Sequence, residues 1–333
     1  MSIKGDTGRA MRTRRGSMKT ASMAFAMTLV LSSTGCAKIG EVMGMFKFKQ
    51  ANQAYVSQDY ERAVGLYEET VKNDPNNAIV YFYLGNSYDN LYKPSEKGKP
   101  ENDLIMAKAV ENYATAVEKL DANDPTQSKI KGLSLQYLMA AYGPDKLDDP
   151  VKAEPVIIRL IQLDPGEPAN YFQLGKLYED AGEYEAAEKV YQAAKDAKAT
   201  DPNVYMQLAA FYSRQGNFAK TIEAYEQRAQ TEPNNPEGFY AIATQYWDQA
   251  YRGPGVKDAD KKVYVQKGNV AIDKAIEIRP DYVEALVYKN LLLRLQANLE
   301  SNPGTQQALI KQADSFRDKA EEIRKRKATG VGD

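Results

Sequence analysis

A spaced pattern of large and small residues that recurs along the chain constrains the fold more than any other feature. In each copy an aromatic residue is followed three positions later by an aliphatic residue, four positions later by Gly or Ala, and seven positions later by Tyr. The copies are Tyr81-x2-Leu84-Gly85-x2-Tyr88, Tyr171-x2-Leu174-Gly175-x2-Tyr178, Tyr205-x2-Leu208-Ala209-x2-Tyr212 and Phe239-x2-Ile242-Ala243-x2-Tyr246. The steps from Tyr171 to Tyr205 and from Tyr205 to Phe239 are both 34 residues. A fixed period of this kind predicts a repeat architecture.

A second pattern, in which a small residue precedes a large one by four positions, alternates with the first. Its copies are Ala63 with Tyr67, Ala109 with Tyr113, Ala187 with Tyr191, Thr221 with Tyr225 and Gly268 with Ile272. At about 100° per residue, each pattern places its members on one face of a helix. Gly182 and Gly216 fall between the two helices, where Gly permits the left-handed backbone that ends a helix. A Pro then follows several second helices and stops them from continuing. One such hairpin cannot bury its apolar stripe alone, so the hairpins must stack.

These patterns and their period resemble the tetratricopeptide repeat, whose signature is W-x2-L-G-x2-Y, A-x3-F and P over 34 residues. The resemblance implies an all-α fold: a right-handed superhelix, or α-solenoid, of about seven helical hairpins that ends in a charged capping helix. We expect the repeats to span residues 46–326, with insertions near 91–103 and 249–263. The tail, residues 327–333, is expected to be disordered.

The resemblance also suggests where partners bind. If positions +3, +4 and +7 of the first pattern pack inward, then positions +1, +5 and +8 lie about 100° further round the first helix. In tetratricopeptide repeat proteins this face lines the concave surface where peptides or partner proteins bind. Carried over by position, the candidate binding residues are Phe82, Asn86, Asp89, Phe172, Lys176, Glu179, Met206, Tyr240, Thr244 and Trp247. The alternative for each aromatic ring is packing against an insertion or a neighbouring helix.

The N-terminal residues 1–35 have the order of a secretory signal peptide, with a basic start, an apolar run and small residues before Cys36. The run, from about Ala21 to Leu31, is shorter than the roughly 20 apolar residues that a membrane-spanning helix needs. The stretch Ser33-Thr34-Gly35-Cys36 resembles the lipobox of bacterial lipoproteins, in which the Cys is lipidated and becomes the new N-terminus. It departs from the usual lipobox at Ser33, where most lipoproteins have Leu. The alternative is a chance Cys beside an ordinary cleavage site.

Lipidation of Cys36 would make residues 36–45 a tether to the membrane. Ala37 is not the Asp that retains many lipoproteins at the inner membrane, so the resemblance favours the outer membrane, facing the periplasm. Arg14 and Arg15 lie in a stretch that also resembles a twin-arginine export signal. Sec and twin-arginine export therefore both stay open.

The residue inventory argues against catalysis. The chain contains no His and one Cys, which removes Ser-His-Asp and Cys-His catalysis and His metal ligands. It lacks a Gly-rich phosphate loop, and its formal net charge of −1 argues against general nucleic-acid binding. We therefore expect no enzyme activity, no cofactor, no metal and no nucleic acid, and we expect other proteins or peptides as partners.

These features favour a membrane-anchored scaffold for protein–protein interactions in the bacterial cell envelope. Two other functions stay open. One is an assembly lipoprotein of an outer-membrane or pilus biogenesis machine. The other is a hydrolase of envelope polymers that uses a pair of carboxylates, although no motif supports it.

Overall fold

The computed structural model describes residues 42–330, which form helices and turns without a β-strand. Two compact units divide the chain after Leu163. The first unit contains α1 (residues 42–56), α2 (Tyr60–Asn73), α3 (Ala78–Leu91), α4 (Pro100–Lys119), α5 (Pro125–Ala141) and α6 (Pro150–Leu163). The second contains α7 (Pro168–Asp180), α8 (Tyr184–Ala197), α9 (Pro202–Arg214), α10 (Phe218–Thr231), α11 (Pro236–Arg252), α12 (Asp258–Ile278), α13 (Val283–Asn298) and α14 (Pro303–Ala328).

Consecutive helices pair into hairpins, and within each unit every helix from α2 onward packs against the next one. Odd-numbered helices are the first helices of their hairpins and even-numbered helices are the second. Each unit is therefore a row of stacked helical hairpins, as the 34-residue pattern predicts. The four prolines predicted to follow second helices lie two residues beyond the ends of α2, α6, α10 and α12.

The predicted left-handed turns are present between the helices of two hairpins. Gly182 has φ +79° and Gly216 has φ +68°. In each turn the next residue donates its backbone N–H to a carbonyl five residues earlier: Glu183 to Tyr178 at 2.8 Å and Asn217 to Tyr212 at 2.9 Å. These bonds satisfy carbonyl groups that the helix end leaves without partners.

The first hairpin makes the same turn without a glycine. Gln58 has φ 59°, and Asp59 donates its backbone N–H to the carbonyl of Ala54 at 2.9 Å. A side chain in the left-handed region costs about 1–2 kcal/mol because Cβ crowds the following carbonyl. The hairpin therefore closes at a conformational cost that the turns at Gly182 and Gly216 avoid.

Small residues in the first helices let aromatic rings of the second helices approach closely. A Cβ atom added at Gly175 would lie 3.0 Å from the ring of Tyr191, and one at Gly85 would lie 3.0 Å from the ring of Tyr113. Both tyrosines are buried almost completely. The ring of the second helix thus fills the space that the missing side chain leaves, which explains the pairing of the two sequence patterns.

The predicted insertions are largely helical. In 91–103, a short 3-10 turn (Pro94–Glu96) leads into α4, and the buried Asn102 side chain exchanges two hydrogen bonds with the backbone of Lys93, at 2.9 and 3.0 Å. In 249–263, α11 continues to Arg252 and α12 begins at Asp258. The extra residues therefore lengthen the helices and leave only short connections.

The last helix, α14, presents mostly charged and polar side chains to solvent and buries only Ala313, Ala320 and Ile323. It packs on α13 and serves as the polar end of the array, as terminal repeats require. At the other end, residues 42–45 of the predicted tether already belong to α1. Of the predicted tail, residues 327 and 328 lie in α14 and residues 331–333 lie outside the described range. Over residues 42–330, none of the helices combines the length and apolar character needed to cross a bilayer.

Candidate binding surface on the first helices

In the first unit, the predicted binding residues are occupied by contacts within the protein. Phe82 is buried, with its ring centroid 5.2 Å from that of Tyr83 and 5.9 Å from that of Tyr137. Tyr137 belongs to α5, the first helix of the next hairpin. The ring of Phe82 is therefore not available to a partner, and it takes the alternative role of packing against a neighbouring helix.

Asn86 and Asp89 belong to an internal hydrogen-bond network around Tyr113. The buried Asn86 donates to the Tyr113 hydroxyl at 3.2 Å and accepts from the Tyr55 hydroxyl at 2.7 Å. The Tyr113 hydroxyl donates to Asp89 at 3.2 Å, and Asp89 also pairs with Lys146. Burial raises the pKa of Tyr113 far above its ordinary value, and the nearby Asp89 carboxylate raises it further. The hydrogen bonds of Asn86 and the contacts of Asp89 therefore connect residues within the hairpin stack.

Glu179, at the end of α7, has an equivalent structural role in the second unit. Its two carboxylate oxygens accept hydrogen bonds from Arg214 at the end of α9, at 2.6 and 2.8 Å, and Tyr191 donates to it at 3.4 Å. The bond to the Arg214 guanidinium holds the pKa of Glu179 below its ordinary value. This bidentate pair joins the first helices of two neighbouring hairpins.

A tyrosine of the second helix closes three hairpins in the same way. It donates its hydroxyl hydrogen bond to a polar side chain of the first helix in each case: Tyr67 to Asn52 at 2.6 Å, Tyr113 to Asp89 at 3.2 Å, and Tyr191 to Glu179 at 3.4 Å. A buried hydroxyl requires such a partner. Of these three polar residues, Asp89 and Glu179 were predicted to bind a partner, and in the structure both accept hydrogen bonds from a tyrosine of their own hairpin.

The other predicted residues of α7 and α9 are more accessible. Lys176 is exposed and pairs with Asp180 one helical turn later. Phe172 is half-buried, with its ring centroid 6.4 Å from that of Tyr191, and Met206 is exposed. Lys176 also lies near enough to Glu179 for its charge to help lower the pKa of that carboxyl.

The strongest candidate site is a group of five aromatic side chains on α11, on α13 and at the residue that immediately precedes α13, here called the aromatic platform. Its members are Tyr240, Trp247, Tyr251, Tyr282 and Tyr288. Tyr240 has its ring centroid 5.3 Å from Tyr282 and 5.4 Å from Tyr288, and Trp247 lies 5.7 Å from Tyr288 and 4.9 Å from Tyr251. Four members are half-buried, and Tyr251 is 62% exposed. The rings therefore support one another and still present a partly open surface.

Two arginines border the aromatic platform. The Arg252 guanidinium lies 5.6 Å from the Trp247 ring centroid, and that of Arg279 lies 3.7 Å from the ring centroid of Tyr282. Burial raises the pKa of Tyr240 to about 12, so its hydroxyl stays protonated and can donate a hydrogen bond at neutral pH. Thr244, also on α11, donates its hydroxyl to the carbonyl of Ala241 at 2.8 Å and is half-buried.

Sequence reasoning identified two members of the platform and missed three. Tyr251 lies four residues after Trp247 on the same helix face, a signal that helical spacing provides. Tyr282 and Tyr288 carry no such signal, because α13 has no aromatic copy of the first pattern from which a position could be carried over.

A second surface of the same unit is an apolar groove between the second helices α10 and α12. It has a volume of about 1170 Å³, and Phe239, Ile242 and Tyr246 of α11 are among its lining residues. Val263 and Val270 line it from α12 and are exposed. This groove was not predicted, because the positional argument considered only the first helices. Among residues 42–330, no group of three or more Asp, Glu, His or Cys side chains is placed to hold a metal ion.

Comparison with known proteins supports the repeat assignment. Two family models, both described as tetratricopeptide repeat, match residues 48–91 and 146–211. No curated protein matches the chain. The C-terminal part of a TPR repeat-containing protein from Cytophaga hutchinsonii is 16% identical and superposes with a TM-score of 0.51, covering 83% of this chain and 98% of that one. A crystal structure of MamA is 17% identical with a TM-score of 0.40, covering 65% of this chain and 98% of that one.

The Cytophaga structure has the same fold, and the family models match α1–α3 and the segment from α6 to α9 directly. Both findings agree with the period and spacing of the two sequence patterns. Repeat arrays of this kind present extended surfaces for binding other proteins. Residues 48–91 and 146–211 therefore match tetratricopeptide repeats, and the chain has the fold of a tetratricopeptide repeat protein.

Proposed function

We propose that this protein is a lipid-anchored scaffold of the bacterial cell envelope that binds a partner protein on the aromatic platform. It acts by binding and not by catalysis. The membrane anchor is Cys36, and the partner inserts apolar side chains between the rings of the platform.

The proposal that a partner protein binds here rests on the residue composition of the aromatic platform and on the exposure of its side chains. Trp and Tyr provide large contact areas at low conformational cost and dominate the energetics of protein interfaces, together with Arg. Here the only Trp of the chain lies among four Tyr rings, with Arg252 and Arg279 at the border. Three other predicted binding residues, Asn86, Asp89 and Glu179, are weaker candidates than the platform, because their side chains form hydrogen bonds with other residues of the protein.

The proposed location in the cell envelope is supported by the sequence of residues 1–36, which lie outside the described residues. The order of basic, apolar and small segments before Cys36 is that of an exported lipoprotein. Five residues lie between Cys36 and residue 42 of α1, and even fully extended the six steps of chain span at most about 20 Å. An anchored protein would therefore work close to the membrane surface.

The binding half is tested by photocrosslinking in living cells. A benzophenone amino acid replaces Tyr251, and in a matched control it replaces Tyr184, which is 50% exposed at the start of α8. We expect a discrete protein adduct from position 251 and none from position 184. Equal adducts from both positions, or recovery of lipid alone from position 251, would refute the assignment of the platform.

The anchor is tested separately by intact mass spectrometry of the protein extracted from membranes. We expect a chain that begins at Cys36 and carries acyl chains, and a Cys36→Ser variant that is released from the membrane. A mature protein with a free thiol at Cys36 would contradict the proposed lipid anchor. It would leave the proposal that the aromatic platform binds a partner unaffected.

A further inference from the structure

The outer face of α1 differs from the outer face expected at the end of a repeat array. Val42, Met45 and Phe46 lie within about 100° of one another around the helix, opposite the buried residues Ala51 and Ala54. Their side chains are 62%, 58% and 61% exposed. Met43 borders the same surface and is also exposed. We call these four residues the α1 apolar turn.

Terminal helices of repeat arrays need a polar outer face, because no further repeat covers them. The last helix, α14, satisfies this requirement with Lys, Glu, Asp and Ser side chains. The first helix does so only beyond its first turns, where Lys49 and Gln53 share the exposed face with one apolar residue, Val56. The apolar character of α1 is therefore concentrated at the end of the helix that is nearest to Cys36.

We propose that the α1 apolar turn docks into the interfacial region of the lipid bilayer. This inference rests on the proposed anchoring through Cys36. The chain length argues for lipid as the occupant, because only five residues lie between Cys36 and Val42 and limit the distance between these two residues to roughly 20 Å. Acyl chains on Cys36 would hold the apolar turn beside the membrane, where four exposed apolar side chains gain from leaving water.

The charges around the turn fit a membrane surface. Lys49 is exposed one turn after Phe46, and Lys47 pairs with Glu69 at 2.6 Å while remaining partly exposed. Lysine side chains beside a buried apolar surface extend their amines toward the lipid headgroups. The apolar turn thus provides a second contact beside the acyl chains, and it orients the first unit on the bilayer.

The test uses the chain that begins at Cys36, which contains all of the described residues. Its single Cys is coupled to a maleimide lipid in phosphatidylcholine vesicles, so the result does not depend on whether cells lipidate the protein. Phe46→Trp is introduced together with Trp247→Phe, so that the new Trp is the only one. The control places Trp at Val151 of α6 in the same background, since Val151 is 79% exposed.

We expect brominated acyl chains to reduce the emission of the Trp at position 46 at least twofold and to leave the control unchanged. Blue-shifted emission without bromine quenching would show that protein covers the turn, either a second copy or another segment of the chain, and would overturn the proposal. Water-like emission from position 46 would also overturn it. Lipidation of Cys36 is tested separately by the mass of the native protein. A failure of the proposed anchor can therefore be told apart from a failure of the α1 apolar turn to enter the bilayer.

Discussion

The left-handed turn of the first hairpin gives a prediction whose magnitude follows from the backbone. Gln58 has φ 59°, a conformation that costs a residue with a side chain about 1–2 kcal/mol. Gly removes this cost but loses roughly 0.5–1 kcal/mol of extra chain entropy on folding. The substitution Gln58→Gly should therefore stabilise the hairpin by about 0.5–1 kcal/mol.

Hydrogen exchange of the α1 and α2 amides is the appropriate assay, because repeat arrays open locally and a global unfolding curve averages over all repeats. A gain of this size slows exchange through hairpin opening by about two- to fivefold. The matched control is Gly182→Gln, which places the same side chain in the equivalent turn between α7 and α8. We expect it to accelerate exchange in those helices by a similar factor.

Two results would refute the reasoning. Faster exchange in Gln58→Gly would show that the glutamine side chain stabilises the turn by more than its backbone costs. Unchanged exchange in Gly182→Gln would show that the left-handed conformation carries no penalty in this fold.

Three further substitutions test the packing and the electrostatics. Glu179→Gln should lower the free energy of unfolding by about 1 kcal/mol near pH 7, because the carboxylate is ionised there and pairs with the half-exposed Arg214. Pairing with Arg214 lowers the pKa of the folded Glu179 below 4.5, so this stabilisation is complete above that value and is lost as the pH falls through the folded pKa. In urea unfolding, the difference between the variant and the parent protein should therefore shrink as the pH is lowered below 4.5. Gly175→Ala should destabilise the second unit by about 1 kcal/mol or more in urea, because the new methyl group would press on the ring of Tyr191, and unchanged stability would show that the ring can move aside. Lys289→Met should destabilise the second unit by about 1 kcal/mol in thermal unfolding, because it leaves the Asn269 carbonyl and the partly exposed Asp273 carboxylate without their amine donor.

The sequence predicted the fold well because the determinants of the hairpin are local. The 34-residue period, the close approach at Gly175 and the left-handed turns at Gly182 and Gly216 all depend on residues within one repeat. The turn at Gln58 was not predicted, because glutamine gives no sign of a positive φ. The helical character of the insertions was missed for a related reason, since Pro and Gly residues mark the short connections but not the extended helices around them.

The candidate site was predicted less well because it depends on contacts between hairpins. From position alone, Phe82 and Asp89 were predicted to lie on an accessible face. In the structure the ring of Tyr137 packs against Phe82, and the amine of Lys146 pairs with Asp89. Both contacting residues belong to the following hairpin. Trp247 was predicted to bind a partner, and this role stays a prediction although the residue belongs to the aromatic platform. Its neighbour Tyr288 belongs to α13 and its neighbour Tyr282 immediately precedes that helix, in a segment whose sequence departs from the repeat pattern. The roles of residues 1–41, including Cys36, stay predictions, because they lie outside the described range.

The most direct test of the central claim uses the emission of Trp247, the single tryptophan of the chain. The protein trapped at position 251 is purified and titrated into the unmodified scaffold. We predict a saturable shift of the Trp247 emission and an affinity that falls at least tenfold in Tyr251→Ala but is unchanged in Tyr184→Ala. Saturable binding that leaves the emission of Trp247 unaltered would contradict the account, because the partner would then bind somewhere other than the aromatic platform.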